Sequence, residues 1–232
     1  QLADEMLRLT ETLQLARAAT SAGLIHSGIA HARGDLDSAA ALYATPLETM
    51  KRGSARDGVT MEVVCRTELA ASRGSGLSEM GDQLQFLFDY NPPDSYVLGG
   101  LLACALVERG EFERARAAVR LLPPLVEDPL TAVWVAFAGM ALAGLGDRDA
   151  CAEFYPGMAR YAGILPGATV GFPMLPMDLV LAQVARTMGR ADLAREHLET
   201  ARRIATTWQN GPWLALVERE AAELGLADGR IS

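Results

Sequence analysis

Four glycines, each followed at fixed distances by the same kinds of side chain, constrain the fold of this chain most strongly. Five residues after Gly34, Gly110, Gly146 and Gly189 comes a small residue, and nine residues after each comes a bulky apolar one. The small residues are Ala39, Ala115, Cys151 and Ala194, and the bulky ones are Tyr43, Val119, Tyr155 and Leu198. A small residue lets a neighbouring helix approach, and a bulky residue one turn later fills the groove beside it. The pattern predicts antiparallel helix pairs that turn at these glycines.

The spacing of the glycines predicts how many units the chain holds. They lie 76, 36 and 43 residues apart, so the first interval has room for two units. We predict one repeat domain over residues 1–232, with units of about 2–52, 54–91, 94–124, 128–162 and 171–209 and a capping helix at 212–224 that starts at Pro212. The second unit, which turns near Gly74 or Gly76, departs from the glycine register. Because Gln1 falls inside a helical pattern, we expect a fragment of a larger protein.

The rest of the pattern predicts an all-α fold class. No segment alternates with period two for long enough to predict a strand. Only 6% of the residues are aromatic, so Ala, Leu and Val must supply most of the packing, which suits closely approaching helices. A polar break is predicted at 53–58, before a helix over about 59–72. The long irregular stretch is 163–176, which is rich in glycine and proline.

Charge and cysteine content exclude several classes of function. The net charge of −8 opposes nucleic-acid binding, because phosphate contacts need clustered Lys and Arg. Cys65, Cys104 and Cys151 are far apart and form no CxxC motif, so we predict reduced, buried thiols in a cytoplasmic protein. No apolar run reaches the roughly 18 residues of a membrane helix, so no membrane partner is predicted.

The repeated unit resembles the tetratricopeptide repeat. Its glycine, the small residue five positions on and the aromatic residue or leucine nine positions on match that repeat, and the last unit adds Ala201 three residues after Leu198. The early Trp and Tyr of the usual first helix are replaced here by Asp178 and Ala185. The resemblance implies a divergent α-α superhelix similar to tetratricopeptide arrays.

Residues 130–224 resemble more specifically the C-terminal helical region of large bacterial transcriptional regulators, the LuxR-type and SARP-type activators that join an ATPase module to such an array. Four segments carry the resemblance: 145–147 (LGD), 161–163 (YAG), 188–190 (MGR) and 211–215 (GPWLA). In those proteins this region implies a role in sensing or protein interaction, whereas other domains bind nucleotide and DNA. A P-loop or winged-helix pattern upstream of Gln1 is what such a regulator would carry.

No motif in the chain predicts catalytic, cofactor-binding or metal-binding residues. There is no P-loop, and Gly144-Leu145-Gly146 follows a helix rather than a strand, so we interpret it as a helix-pair turn. His26 and His31 are five residues apart, which is not the spacing of two ligands on one helical face. His197 is predicted on an exposed helix face. The acidic residues of the last helix, Glu218, Glu220 and Glu223, are predicted on its solvated side.

The resemblance also implies a binding surface, because the first helix of each pair lines the concave face of tetratricopeptide arrays. The register places ten residues there, mostly small and apolar: Val97, Gly100, Cys104, Val107, Val133, Ala136, Met140, Leu179, Gln183 and Arg186. Either the array closes and buries this face as core, or the face offers an apolar pocket for a small molecule or an amphipathic partner helix. In the second case Gln183 and Arg186 would be the polar anchors.

The irregular stretch 163–176 would either cover such a pocket, through Phe172 and Met174, or serve as a spacer between units. The candidate binding residues are therefore Cys104, Val107, Met140, Phe172, Met174, Leu179, Gln183 and Arg186. The leading prediction is a non-catalytic regulatory module of a transcriptional regulator that binds a protein or a small apolar effector. The alternatives are a stand-alone scaffold protein and, less favoured, an enzyme on a helical array; homodimer formation stays open.

Overall fold

The computed structural model describes residues 5, 8, 9, 16–90, 96–120, 131–167 and 171–225, and these residues are almost entirely helical. The predicted all-α class is confirmed, since the described residues contain no strand beyond an isolated bridge between Gly167 and Pro173. Most of the helical pattern at 2–15 falls outside the described residues. Within them, no helix is both long and apolar enough to cross a membrane. The helices are α1 Ala16–Ala32, α2 Leu36–Gly53, α3 Ala55–Arg73, α4 Gly81–Tyr90, α5 Tyr96–Glu108, α6 Phe112–Arg120, α7 Thr131–Leu145, α8 Arg148–Met158, α9 Met177–Thr187, α10 Ala191–Thr207 and α11 Gly211–Glu223, with 3-10 turns at Leu77–Met80 and Ala159–Tyr161.

The four register glycines do form the turns that the sequence predicts. Gly34, Gly110, Gly146 and Gly189 have φ angles of 79°, 76°, 66° and 76°, a left-handed conformation that glycine adopts without strain. The small residues five positions later are completely buried: Ala39, Ala115, Cys151 and Ala194. Their lack of bulk allows each second helix to lie close to its neighbours, as predicted.

The polar break predicted at 53–58 is wrong, because α3 already begins at Ala55. Ser54 alone separates the two helices, and its side chain accepts a hydrogen bond of 3.3 Å from the Asp57 N–H, which caps α3. Gly58 lies inside α3, where a Cβ atom would stand 2.5 Å from the Lys51 nitrogen. The glycine is therefore needed for a close approach of α3 to α2 and does not interrupt the helix.

The first helices of the later pairs pack side by side. Helix α5 lies on α7, and α7 lies on α9, while α6, α8 and α10 each back onto the first helix of their own pair. Helix α11 packs on α10 and α9. The inner layer formed by α5, α7 and α9 carries much of the fully buried core, including Leu101, Phe137 and Leu181.

The last helix also meets the beginning of the chain. Helix α11 packs against α3, and Asn210 just before it donates to the carbonyl oxygens of His31 (3.2 Å) and Ala32 (3.0 Å). Fully buried Trp213 donates from its indole nitrogen to Ser72 Oγ, at 3.1 Å. We call His31, Ser72, Asn210 and Trp213 the closure cluster. These bonds close the row of helix pairs on itself and help to enclose the inner layer.

The irregular stretch before α9 completes this closure. Gly28 of α1 and Gly171 of the stretch touch so closely that a Cβ on Gly28 would lie 2.5 Å from the Gly171 oxygen. The Tyr43 hydroxyl donates to that same oxygen at 2.6 Å, and the Tyr43 and Phe172 rings stack with centroids 5.1 Å apart. Residues 171–176 of the stretch are thus packed into the core between the first and last helix pairs.

Candidate functional site

A cavity of about 290 Å³ opens at the carboxyl-terminal ends of the inner-layer helices, between them and the pair formed by α3 and α11. Its walls are mainly apolar. The lining residues are Ala71, Gly74, Leu77, Cys104, Val107, Glu108, Met140, Ala143, Gly144, Leu175, Leu179, Gln183, Arg186, Leu216 and Arg219. Six of the eight residues proposed from the sequence therefore border one cavity: Cys104, Val107, Met140, Leu179, Gln183 and Arg186.

Burial changes along the predicted concave face. Val133, Ala136 and Leu179 are fully buried, and Cys104 is 4% exposed, so this part of the face is core. Val107, Met140, Gln183 and Arg186 are half-buried at the cavity mouth. The side chain of Val97 lies outside the described residues. The two interpretations of this face each describe part of it, because the closed array buries one end and leaves an open cavity at the other.

Arg186 is a weaker candidate for a ligand anchor than the sequence indicated, because a carboxylate already holds it. Its Nε donates to Glu220 Oε1 at 2.5 Å, and its Nη2 lies 3.5 Å from Glu220 Oε2. Glu220 is 5% exposed, so the predicted position of this residue on a solvated face is wrong. The side chain of Glu220 turns inward because α11 packs onto α9, which the sequence pattern of α11 alone does not reveal.

Two further charged side chains line the cavity, and their partners differ. The Glu108 carboxylate accepts hydrogen bonds from the backbone N–H groups of Gly76, at 3.2 Å, and of Ser78. Arg219 makes a single long contact of 3.5 Å to the carbonyl oxygen of Gly74. Among the described residues, no carboxylate lies within ion-pair distance of Arg219. Arg219 is therefore the cation of this cavity that a ligand can still engage.

The floor of the cavity is chemically inert. The Cys104 thiol donates to the carbonyl oxygen of Phe137 at 3.0 Å, and burial raises its pKa well above the ordinary value. A buried thiol that stays protonated behaves as a small apolar group rather than as a nucleophile. All three cysteines are free and buried, so their predicted burial is confirmed.

Phe172 and Met174 do not reach this cavity. Met174 is fully buried in the core, and Phe172 lines a second crevice of about 230 Å³ with Gly28, Pro173 and the half-exposed Trp208. The residue of the irregular stretch that does line the first cavity is Leu175. The stretch thus contributes to the site one position beyond the two residues that we proposed.

A chain of three hydrogen-bonded side chains connects α8, α9 and α10. His197 Nδ1 lies 2.8 Å from Asp178 Oδ1, and the Tyr155 hydroxyl lies 2.7 Å from His197 Nε2. Asp178 Oδ2 also accepts the Gly163 N–H at 2.6 Å. The prediction that His197 lies on an exposed face is wrong, since its side chain is 11% exposed. A carboxylate, an imidazole and a hydroxyl in series can activate a nucleophile. However, burial raises the pKa of Tyr155, which disfavours the phenolate. We therefore interpret these hydrogen bonds as structural contacts that hold α8, α9 and α10 together.

Among the residues that the structure describes, one buried carboxyl group has no hydrogen-bond partner. Both side-chain oxygens of Glu68 on α3 are buried and unbonded, and burial raises the pKa of this group well above its ordinary value. Within the described part of the chain, no group of three or more His, Cys, Asp or Glu side chains could hold a metal ion. Glu68 is best explained as a carboxylic acid that folds in its neutral form.

Sequence reasoning missed Arg219 and Leu216, because the register assigned the cavity to first helices only. These two residues belong to the capping helix, which reaches the cavity only because the array closes on itself. The GPWLA segment that contains Trp213 marks where this closure occurs, but its role depends on a contact with Ser72, 141 residues earlier in the chain.

Comparisons of the chain with models of protein families, with curated proteins and with solved structures found no match.

Proposed function

We propose that this chain is a non-catalytic regulatory module, similar to tetratricopeptide arrays, whose cavity binds a small, largely apolar effector. The glycine turns and the buried small residues five positions later support the likeness to that repeat. So does the inner layer of α5, α7 and α9, since neighbouring first helices pack together in such arrays. The proposed place within a bacterial transcriptional regulator rests on the sequence resemblance over residues 130–224.

One observation carries the proposed binding role. Residues that the sequence register selects from three separate helices border a single cavity: Cys104 and Val107 on α5, Met140 on α7, and Leu179, Gln183 and Arg186 on α9. A mostly apolar pocket with a few polar groups is the usual form of a small-molecule site. The apolar walls and the polar mouth fit that description.

The size of the cavity favours a small molecule over a partner helix. Its volume of about 290 Å³ lies just below the roughly 300–1,000 Å³ typical of ligand pockets. A partner helix has a diameter of about 10–12 Å with its side chains and docks in an extended groove. Helix α11 limits the length of the open face. A scaffold that binds other proteins remains the alternative, favoured by the exposed, stacked rings of Phe86 and Tyr90 on α4.

Filling the cavity tests the proposed role. Met140→Trp places a larger side chain at the mouth, and Leu42→Trp adds the same ring at an exposed position on α2. We expect octan-1-ol, measured by saturation-transfer NMR, to bind the wild type and Leu42→Trp equally. Its affinity for Met140→Trp should fall by at least about tenfold, which corresponds to 1.4 kcal/mol. Circular dichroism checks that both variants are folded. Equal binding by all three proteins, or no binding to the wild type, would contradict the proposal.

A further inference from the structure

The cavity has one chemical asymmetry that narrows the class of its ligand. The deep wall, formed by Cys104, Leu175 and Leu179, is buried and offers no free hydrogen-bonding group. The charged residues among the described ones that line the cavity are Glu108, Arg186 and Arg219, and all three lie at its more exposed rim. A ligand that fills the cavity therefore meets hydrocarbon at the deep end and charged side chains at the rim.

Two of the three charged groups already have partners within the protein, although only Arg186 is paired with an opposite charge. Glu108 accepts two backbone N–H groups at the start of the 3-10 turn Leu77–Met80. Arg186 forms its ion pair with Glu220, through Nε at 2.5 Å. Displacing Arg186 would leave the Glu220 carboxylate, which is 5% exposed, without its partner, which is costly. A ligand at the exposed Glu108 carboxylate would have to compete with its two backbone hydrogen bonds. Neither group is thus well suited to bind a charged ligand.

Arg219 differs from both. Its long contact to the Gly74 carbonyl oxygen, at 3.5 Å, is too weak to satisfy a guanidinium group with five N–H donors. The side-chain amide of Gln183, which also lines the cavity, makes no hydrogen bond within the described part of the chain. Within the described part of the chain, Arg219 and Gln183 thus offer donors at the rim that no protein side chain engages, whereas the Glu108 carboxylate is hydrogen-bonded to the backbone. A planar guanidinium matches the two oxygens of a carboxylate.

We infer that the effector is a short amphipathic carboxylate, with its apolar chain in the cavity and its carboxylate on Arg219. The inference rests on the proposed binding role and names the ligand class. Chain length is limited by the volume of about 290 Å³, which is too small for a long-chain lipid with a bulky head group. A cation of the same length would be repelled by the Arg219 charge, and an uncharged analogue would form no ion pair with it.

Three ligands of equal chain length separate the effect of charge on the binding affinity from the effect of the apolar chain. They are octanoate, octan-1-ol and octylammonium. We expect octanoate to bind the wild type about tenfold more tightly than octan-1-ol, because a hydrogen bond between two charged groups is stronger than one to a neutral hydroxyl. Octylammonium should bind more weakly than either. Isothermal titration calorimetry at low salt measures all three, and raising the salt concentration should weaken only octanoate binding.

Two substitutions locate the charge. Arg219→Gln should reduce octanoate affinity about tenfold and leave octan-1-ol affinity unchanged, because only the charge is lost. Arg219→Lys should retain part of the octanoate preference, since it keeps the charge but not the fork of donors. Arg203→Gln removes the same charge from the exposed face of α10 and should change neither affinity.

The outcomes distinguish this inference from the binding role on which it rests. If octan-1-ol binds and Met140→Trp blocks it, but octanoate binds no more tightly, the ligand class is wrong and the cavity remains a binding site. If octanoate affinity is the same in Arg219→Gln as in the wild type, the assigned role of Arg219 is wrong. If none of the three ligands binds the wild type, both proposals fail.

Discussion

The Trp213 indole nitrogen and the Ser72 hydroxyl, 141 residues apart in the chain, form a buried hydrogen bond of 3.1 Å. Ser72 Oγ also lies 2.8 Å from His31 Nε2, and Tyr43 OH lies 3.4 Å from His31 Nδ1 and 2.6 Å from the Gly171 oxygen. These contacts form a directional chain if Trp213 donates to Ser72, Ser72 donates to His31, and Tyr43 donates to Gly171. This chain requires a neutral imidazole that accepts at Nε2. This chain of hydrogen bonds links α1, α2 and α3 to α11 and to the irregular stretch before α9.

Removal of the Trp213 donor should destabilise the fold measurably. Trp213→Phe retains an aromatic ring and loses the bond to Ser72, which should reduce the free energy of unfolding by about 1 kcal/mol. Trp213→Ala also leaves a cavity in the core and should cost about 3–5 kcal/mol. Urea denaturation measures both. Trp208→Phe, at the 40% exposed tryptophan, is the matched control and should have little effect. Equal losses for Trp213→Phe and Trp208→Phe would show that the hydrogen bond to Ser72 does not stabilise the closure.

The closure cluster should weaken in acid. Burial, with a smaller effect from the Arg73 charge, lowers the pKa of His31 from 6.5 to about 4. The imidazole of His31 therefore binds a proton less readily in the folded state than in the unfolded state. The contribution of neutral His31 to the free energy of unfolding is complete above pH 6.5 and is lost as the pH falls towards 4. A pKa difference of this size corresponds to about 3 kcal/mol. The wild type should lose this amount relative to His31→Gln between those pH values, by urea denaturation. A constant difference between the two proteins would contradict the assignment.

Glu68 should have the opposite pH dependence. Its pKa is raised by burial, so the neutral acid is the form that the folded state favours. Its contribution to stability is complete below the ordinary pKa of 4.5 and is lost as the pH rises towards the raised value. Glu68→Met should therefore increase the free energy of unfolding at pH 7, by about 1–3 kcal/mol, because it also removes an unsatisfied buried polar group. The gain should shrink when unfolding is measured at pH 4.5.

Two controls make the Glu68 result interpretable. Glu68→Gln keeps the shape and removes the ionisation, so its stability relative to Glu68→Met should not change with pH. Glu153→Gln, at an exposed position on α8, should leave the free energy of unfolding unchanged. If Glu68→Met is less stable than the wild type at pH 7, a partner must stabilise the buried carboxyl group.

The contact between Gly28 and Gly171 should tolerate no side chain. A Cβ on Gly171 would lie 2.5 Å from the Leu24 oxygen, a backbone atom that cannot move independently. Gly171→Ala and Gly28→Ala should each reduce the free energy of unfolding by about 1–3 kcal/mol, as overpacked cores do. Gly53→Ala is the control, because no atom of the described residues lies within 4 Å of the position that its Cβ would take. Thermal unfolding measures all three variants. A neutral Gly171→Ala would show that the stretch is not packed against α1 as described.

The sequence predicts the turns and the helix faces because both depend on local geometry. The repeated sequence pattern alone predicts the turns and the small buried residues five positions after them. The turns have left-handed φ angles at Gly34, Gly110, Gly146 and Gly189. Six cavity residues could be named for the same reason, since they occupy equivalent positions on successive first helices. These predictions need only the repeat and helical periodicity.

The remaining features depend on contacts between distant parts of the chain, and no local pattern encodes them. His197 is placed on an exposed face by its neighbours in the sequence, yet Asp178 and Tyr155 cover it from other helices. Glu220 is drawn inward by Arg186, 34 residues earlier. Arg219 reaches the cavity only because α11 closes against α3. A sequence register that treats each unit separately cannot predict the residues that meet across the closure.

The most direct test of the proposed cavity is a titration with octanoate, followed by NMR of protein labelled with carbon-13 in the methyl groups of Met, Ile, Leu and Val. We predict saturable shifts that are largest for Met140, Val107 and Leu179 at the cavity, with little change at Met158, which is buried elsewhere. Shifts centred on Ile25 and Ile29, in the crevice beside Trp208, would place the ligand at the wrong site. The absence of any saturable shift at millimolar octanoate would contradict the central claim.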